Sequence, residues 1–369
     1  MKFTCEKALL QSAVNMVFRT AAAKSTIPAL EGILIEAGHG LTLTGYNMQT
    51  GIRTRVSADV SREGCIVIDA KLFSDLIRKL PDDVVSVSVS NDFVAEIRCG
   101  VARFEIMCMD AADYPDLPEV DAASGLQLEE EALRSMINGA VFCASESEAR
   151  PVHTGMLFDY KSGTVTGVAV DGYRLALRRE DCTCTTGQDM KFVVPAVSLR
   201  ELEKILTGGE NIVTMIPGKR HILFKTENAE LISRLLDGEF LNYDKAVPRA
   251  NPITFNAATR DIAHCVDRVS LIINESLKSP VRMTIGDGQI NFASSTALGS
   301  VSDSCQIVGT GGDMEIGFNN RYLLDALKAV PDDEIKIELS GPTAPMIIVP
   351  KEGAERYLYM ILPVRLRKV

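Results

Sequence analysis

Side chains able to act as nucleophile, base or ligand are few in this sequence and poorly grouped. Four histidines occur in 369 residues. One of them, His153, lies near Ser147 and Asp171, the residue types of a Ser-His-Asp hydrolase. That chemistry on an α/β scaffold needs the serine in a sharp Gly-x-Ser-x-Gly turn, and the sequence has none. His39 sits in an Ala-Gly-His-Gly turn, His221 at the start of a strand-like run, and His264 at solvent-facing helical spacing, so these three suit structural or surface roles. The glycine-rich VGTGGD (Val308 to Asp313) lacks the lysine and hydroxyl residue of a phosphate-binding loop and is predicted to be a hairpin turn. MDAADYPDLP, from Met109, offers carboxylates to a hard cation, but its proline spacing favours a loop that closes a domain. Nine cysteines come no closer than Cys182-x-Cys184, far from the four convergent ligands of structural zinc. No catalytic residues, metal or cofactor are therefore expected. What remains is Asp171-Gly172-Tyr173-Arg174, which is either a plain turn or the rim of a docking place.

The bulk properties narrow the classes further. The length exceeds what one core usually supports and predicts two or three domains. Hydrophobic residues at 46% and charged residues at 24% match a globular chain. No apolar run reaches the ~18 residues of a membrane span, and the first residues do not lead into a signal-peptide core, so a cytoplasmic protein is expected. A net charge of −10 argues against gripping nucleic acid by positive charge alone. An acidic exterior around a basic lining gives the same sum.

The elements that must position these residues repeat three times. EKALLQSAVNMV (from Glu6), EEALRSMINGAV (from Glu130) and ATRDIAHCVDRV (from Ala258) each carry apolar residues at helical spacing. Each is followed by strand-like runs, then by a second helix: DAKLFSDLIRKL, PAVSLRELEKIL and NNRYLLDALKAV. Turn-rich stretches separate three domains at residues 1–122, 123–250 and 251–369. Antiparallel strands outnumber helices, so the class is α+β, with two helices per domain packed on antiparallel sheets.

The outer faces and ends of these helices carry Lys7, Lys71, Arg78, Lys79, Arg134, Arg200, Lys204, Arg260, Arg268, Arg321 and Lys328, with Lys24 beyond the first helix. Each alone suits a solvated surface. In a ring with its helices turned inward, they would give weakly basic walls facing duplex DNA, with no side chain placed to read bases.

Seven segments in order, MKFTCEKALLQSAV, LTLTGYNMQTGIRTRV, MDAADYPDLPEV, VAVDGYRLAL, DGEFLNYDKAVP, EIGFNNRYLLDAL and YMILPVRL, closely resemble the bacterial DNA polymerase III beta subunits, the β sliding clamps. The resemblance runs from Met1 to Leu366. It implies a head-to-tail homodimer of DNA-clamp domains that forms a ring around double-stranded DNA. The implied partners are the catalytic subunit of DNA polymerase III, the clamp loader, and other polymerases and repair proteins carrying clamp-binding motifs. It also implies a peptide-binding cleft. One side would use Arg150, Val152, His153, Val170, Gly172, Tyr173, Arg174, Leu175, Leu241 and Ala246. The other would use Asn319, Tyr322, Pro345, Met360, Leu362, Pro363, Val364 and Arg365. In that setting Tyr173 and Leu175 wall an apolar cleft and Arg174 forms its polar edge. Tyr173 stands where a histidine is frequent, and Val152-His153 where an aromatic-leucine pair can occur.

Ring closure, by the same resemblance, would set Phe104 and Ile106 against Leu271 and Ile272 of the partner subunit. These four residues suit an intradomain core equally well. The competing reading of the whole chain is an α+β repeat scaffold that binds peptides without DNA.

Overall fold

Apolar residues at helical spacing and β-branched residues on alternate positions settle into the predicted elements with small shifts at their ends. The computed structural model describes residues 1–121, 124–273, 279–286, 288–310, 313–353 and 356–366. The expected boundary between residues 122 and 123, and Arg367 to Val369, lie outside them. The helices are α1 (Lys7–Phe18), α2 (Ala70–Lys79), α3 (Glu130–Ala140), α4 (Ala196–Ile205), α5 (Tyr243–Ala246), α6 (Thr259–Ser270) and α7 (Asn320–Ala329). The short α5 has no counterpart among the predicted helices.

Helix α2 illustrates the local logic. Asp69 caps it, its Oδ1 accepting from the Leu72 N–H at 2.7 Å. Ala70, Phe73, Leu76 and Ile77 form one buried stripe, while Arg78 and Lys79 sit at the carbonyl end, where positive charge is favoured. Each large apolar side chain so buried contributes about 1.5–3 kcal/mol. Glu6, expected to open the first helix, is instead its extended N-cap residue.

Contacts group the chain into two units. The first comprises Met1–Glu131, Thr183–Thr186 and Arg200–Leu235. It holds a five-stranded sheet and a nine-stranded one, all pairings antiparallel. Here α1 packs beside α2 and across the strands Leu41–Tyr46 and Thr50–Val56. The second unit comprises Ala132–Cys182, Gly187–Leu199 and Leu236–Val369, with nine-stranded and four-stranded sheets and α6 packed beside α7.

The three thirds seen in the sequence become two units because the central third lends strands to both. Ala229–Arg234 pairs with Thr50–Val56, setting Leu231 opposite Ile52. Arg174–Asp181 pairs with Tyr357–Ile361, setting Leu175 opposite Met360. The VGTGGD segment is a correction. Its Val308–Thr310 forms a strand paired with Ile253–Ala258 instead of a turn, and Gly311 and Gly312 lie outside the described residues.

The end of α1 is seated directly on the strand Leu41–Tyr46. Thr20 Oγ1 donates to the Gly45 carbonyl at 2.9 Å, and a Cβ at Gly45 would land on the Val17 carbonyl oxygen. Gly45→Ala should therefore cost about 1–3 kcal/mol by overpacking. The expected readout is a lower urea midpoint for the transition of the first unit; an unchanged midpoint would show that the helix end has room to shift.

Candidate functional site

The Asp171 turn is a piece of chemistry directed inward. Between the strands Thr164–Val170 and Arg174–Asp181, Gly172 takes φ +91°, a conformation other residues adopt poorly. Asp171 Oδ1 accepts from the N–H groups of Tyr173 and Arg174 at 2.9 and 3.1 Å, and its Oδ2 accepts from Arg174 Nε at 2.9 Å. The turn is thereby fixed, with Tyr173 turned out to 62% exposure and Arg174 turned in to 7%.

Arg174 was expected as a polar edge of the cleft, and the structure corrects this. Its Nη1 donates to Asp325 Oδ2 at 2.6 Å and its Nη2 to the Phe142 carbonyl at 2.8 Å, so each guanidinium nitrogen is occupied. The same group lies 4.5 Å from the centre of the Tyr322 ring and 5.5 Å from that of Phe142. Burial opposes the charge on Arg174, but Asp325 and Asp171 more than offset it and hold its pKa above the ordinary arginine value. It packs against the Tyr322 ring from within the fold.

Around this anchor a cleft of about 580 Å³ opens within the second unit. Asn319 caps α7 by accepting from the Tyr322 N–H, and the Tyr322 ring lies nearly parallel to that of Tyr173, with centroids 6.3 Å apart. Burial, with the nearby Asp171 charge, raises the Tyr322 hydroxyl pKa. The C-terminal segment forms another wall: Leu362 N–H donates to the Tyr173 carbonyl at 2.9 Å and Val364 N–H to the Gly317 carbonyl at 2.8 Å. Of the expected residues, Tyr173, Asn319, Tyr322, Leu362, Pro363 and Val364 line this space. Ile273, Ser279, Pro280, Asn320 and Arg321 line it as well and were not assigned to it from the sequence. Asn320 and Arg321 were accessible by their place between Asn319 and Tyr322, whereas no pattern marked Ile273, Ser279 and Pro280.

The other expected cleft residues fall elsewhere in the unit. Val152, Val170, Leu175 and Met360 are buried in one apolar cluster, against which Leu236, Phe240 and Val247 pack. His153 is also buried, edge-on to Phe240, and burial with the nearby Arg150 charge lowers its pKa. Leu241, Arg150 and Arg365 are exposed, and Ala246 and Pro345 half-buried, outside the lining of the open cleft. Tyr243 ties the covering segment down, its hydroxyl donating to Asp159 Oδ2 at 2.7 Å. No hydrogen bond joins Ser147, His153 and Asp171 among the described residues, and Asp171 is committed to Arg174.

The basic residues expected to face DNA differ in how they are held. Lys7 pairs with Asp82 at 2.7 Å, Lys204 with Glu201 at 2.7 Å, Arg78 with Asp75 and Arg268 with Asp303. Arg134 is half-buried, while Lys24, Lys71, Lys79, Arg200, Arg260 and Lys328 are exposed. Arg321 lines the cleft.

The strand Ala102–Met107 ends the five-stranded sheet of the first unit, and Gly299–Gln306 ends the four-stranded sheet of the second. Phe104 is 40% exposed and Leu271 82%, which removes the intradomain-core alternative for both. Ile106 and Ile272 are half-buried.

Arg174→Ala would leave Asp171 and Asp325 facing each other without their shared cation. The expected loss is about 3 kcal/mol, toward the lower end for a broken buried pair because Asp325 keeps some contact with water. Arg174→Lys should recover little, since one ammonium does not span both carboxylates and the Phe142 carbonyl. Thermal unfolding of both variants checks this, and full stability in the lysine variant would contradict it.

Comparison with known proteins extends over nearly the whole chain. Sequence models of the DNA polymerase III beta subunit match it three times in order: the N-terminal domain at residues 1–118, the central domain at 127–242 and the C-terminal domain at 244–365. The beta sliding clamp of Halalkalibacterium halodurans is 31% identical over 380 residues, covering 99% of this chain and 100% of that protein. The solved DNA polymerase sliding clamp from Bacillus subtilis matches with a TM-score of 0.94 at 30% identity, covering 100% of both chains. A DNA polymerase III beta subunit from Eubacterium rectale matches with a TM-score of 0.93 at 30% identity, covering 99% of this chain and 100% of that one. With three clamp domains in the family's order on an α+β fold, the chain belongs to the DNA polymerase III beta subunit family, the bacterial β sliding clamps.

Proposed function

We propose that this chain is a DNA sliding clamp: a head-to-tail homodimer that closes into a ring around duplex DNA and tethers the replicative polymerase through the cleft at Tyr173 and Tyr322. The observation that carries this reading is the likeness to beta sliding clamps over the full length and in domain order. The protein does no chemistry on its substrate. Processivity comes from mechanical linkage, which keeps a bound polymerase at its template after every dissociation of the active site.

Such a linkage works best when the clamp adheres weakly to what it encloses. Every phosphate contact releases counterions and adds salt-dependent affinity, which would slow sliding. A net charge of −10 with exposed lysines and arginines such as Lys24, Lys71, Arg200 and Arg260 suits that need. The exposed edge strands Ala102–Met107 and Gly299–Gln306 suit closure, since an unpaired edge accepts a strand from another copy. In a C2 dimer each such junction occurs twice.

The cleft is the place for the catalytic subunit of DNA polymerase III, the clamp loader, and other polymerases and repair proteins, which would compete for it in the cytoplasm. A peptide would bind by a few apolar anchors entering a preformed groove.

Loaded on nicked circular DNA with a clamp loader, the protein should remain bound through gel filtration at high salt and leave once the circle is cut. Equal retention on circular and linear DNA would replace encirclement with ordinary affinity; no retention on either would favour a peptide-binding scaffold without DNA. Leu271→Glu with Ile272→Glu should convert the dimer to folded monomers at micromolar concentration, measured by sedimentation equilibrium. Dimers that persist would place the junction elsewhere.

A further inference from the structure

We infer that a second cavity, in the first unit between α1 and the loop that follows α4, binds a small organic cation: an amidinium or ammonium group carried on an apolar body. The site is separate from the cleft at Tyr173 and does not depend on the sliding-clamp reading.

The cavity measures about 400 Å³, within the size range of small-molecule sites. Leu9, Ala13 and Met16, on one face of α1, supply an apolar wall, and Ile205 at the end of α4 supplies another. Glu130, the first residue of α3, also lines the cavity and is 2% exposed. Its Oε2 accepts from the Thr207 N–H at 2.7 Å, the Thr207 hydroxyl at 2.8 Å and the Gly208 N–H at 3.1 Å. That oxygen alone fastens the loop after α4. Oε1 accepts no hydrogen bond and meets no cation among the described residues. A carboxylate withdrawn from water with one oxygen unfilled favours a charged donor.

The other polar groups of the lining point the same way. The hydroxyls of Thr54, Thr207 and Thr226 are committed to the Asn228 carbonyl, Glu130 and the Ala229 carbonyl. Asn211 gives its amide N–H groups to Thr207 Oγ1 and the Gly208 carbonyl, which leaves its Oδ1 as a second open acceptor. Arg55 and Glu227, both exposed, offset each other in charge, so Glu130 sets the sign of the lining. Among the described residues no group of His, Cys, Asp and Glu is arranged to hold a metal ion. Open acceptors between apolar walls therefore suit an N–H-bearing organic cation better than a bare ion or an anion.

Saturation-transfer NMR of the full-length protein, with benzamidine titrated against its neutral isostere benzamide, tests this. Benzamidine should bind about ten-fold more tightly than benzamide, the difference between a charge-assisted and a neutral hydrogen bond. Glu130→Gln keeps an oxygen for Thr207 and Gly208 while removing the charge, and should bring the two affinities within about two-fold of each other. Ser12→Trp, at an exposed position on the α1 wall, should block benzamidine, and it decides the matter if Glu130→Gln fails to fold. Equal binding of the two probes by the unmodified chain, or a ten-fold preference kept in either folded variant, overturns the inference. So does the absence of benzamidine binding at about 10 mM, where even a weak site fills.

Discussion

A guanidinium taken out of water is stable only if acceptors surround it, and the cleft is organised around that constraint at Arg174. Removing such an ion from water carries a penalty of several kcal/mol. Asp171, Asp325 and the Phe142 carbonyl meet it from three separate elements, so those elements are held in one arrangement. The arrangement sets the start of the strand Arg174–Asp181, the position of α7 and the plane of Tyr322. The strand then pairs with Tyr357–Ile361, and the segment beyond that strand is fastened at Leu362 and Val364 to make the outer wall. The shape of the open cleft thus depends on a charge buried behind it.

A second economy concerns electrostatics. An acidic chain that handles a polyanion looks contradictory until holding is separated from adhering. A closed ring would hold by topology, and each tight phosphate contact would then act as friction. The ion pairs of Lys7, Arg78, Lys204 and Arg268 with neighbouring carboxylates moderate the basic surface in the same sense.

Periodicity made the three-fold repeat and the six longer helices legible, because a buried stripe such as Phe73, Leu76 and Ile77 leaves its mark within one short window. Six residues of the cleft lining, Tyr173, Asn319, Tyr322, Leu362, Pro363 and Val364, came through the family resemblance and not from periodicity. The part played by Arg174 was not legible, since its partners Asp325 and Phe142 lie 151 and 32 residues away and no local pattern links them. Nor could spacing show that Val170 and Leu175 are covered, because the segment that includes Phe240 and Tyr243 reaches them only through the fold. Sharing of strands by the central third was hidden for the same reason: an edge that accepts another strand looks, in sequence, like any other alternating run.

Encirclement is tested most directly by negative-stain electron microscopy of the purified protein. Ring closure predicts an annular particle whose opening exceeds the width of a hydrated double helix. A solid particle with no central opening, at concentrations where the chain is dimeric, would contradict it.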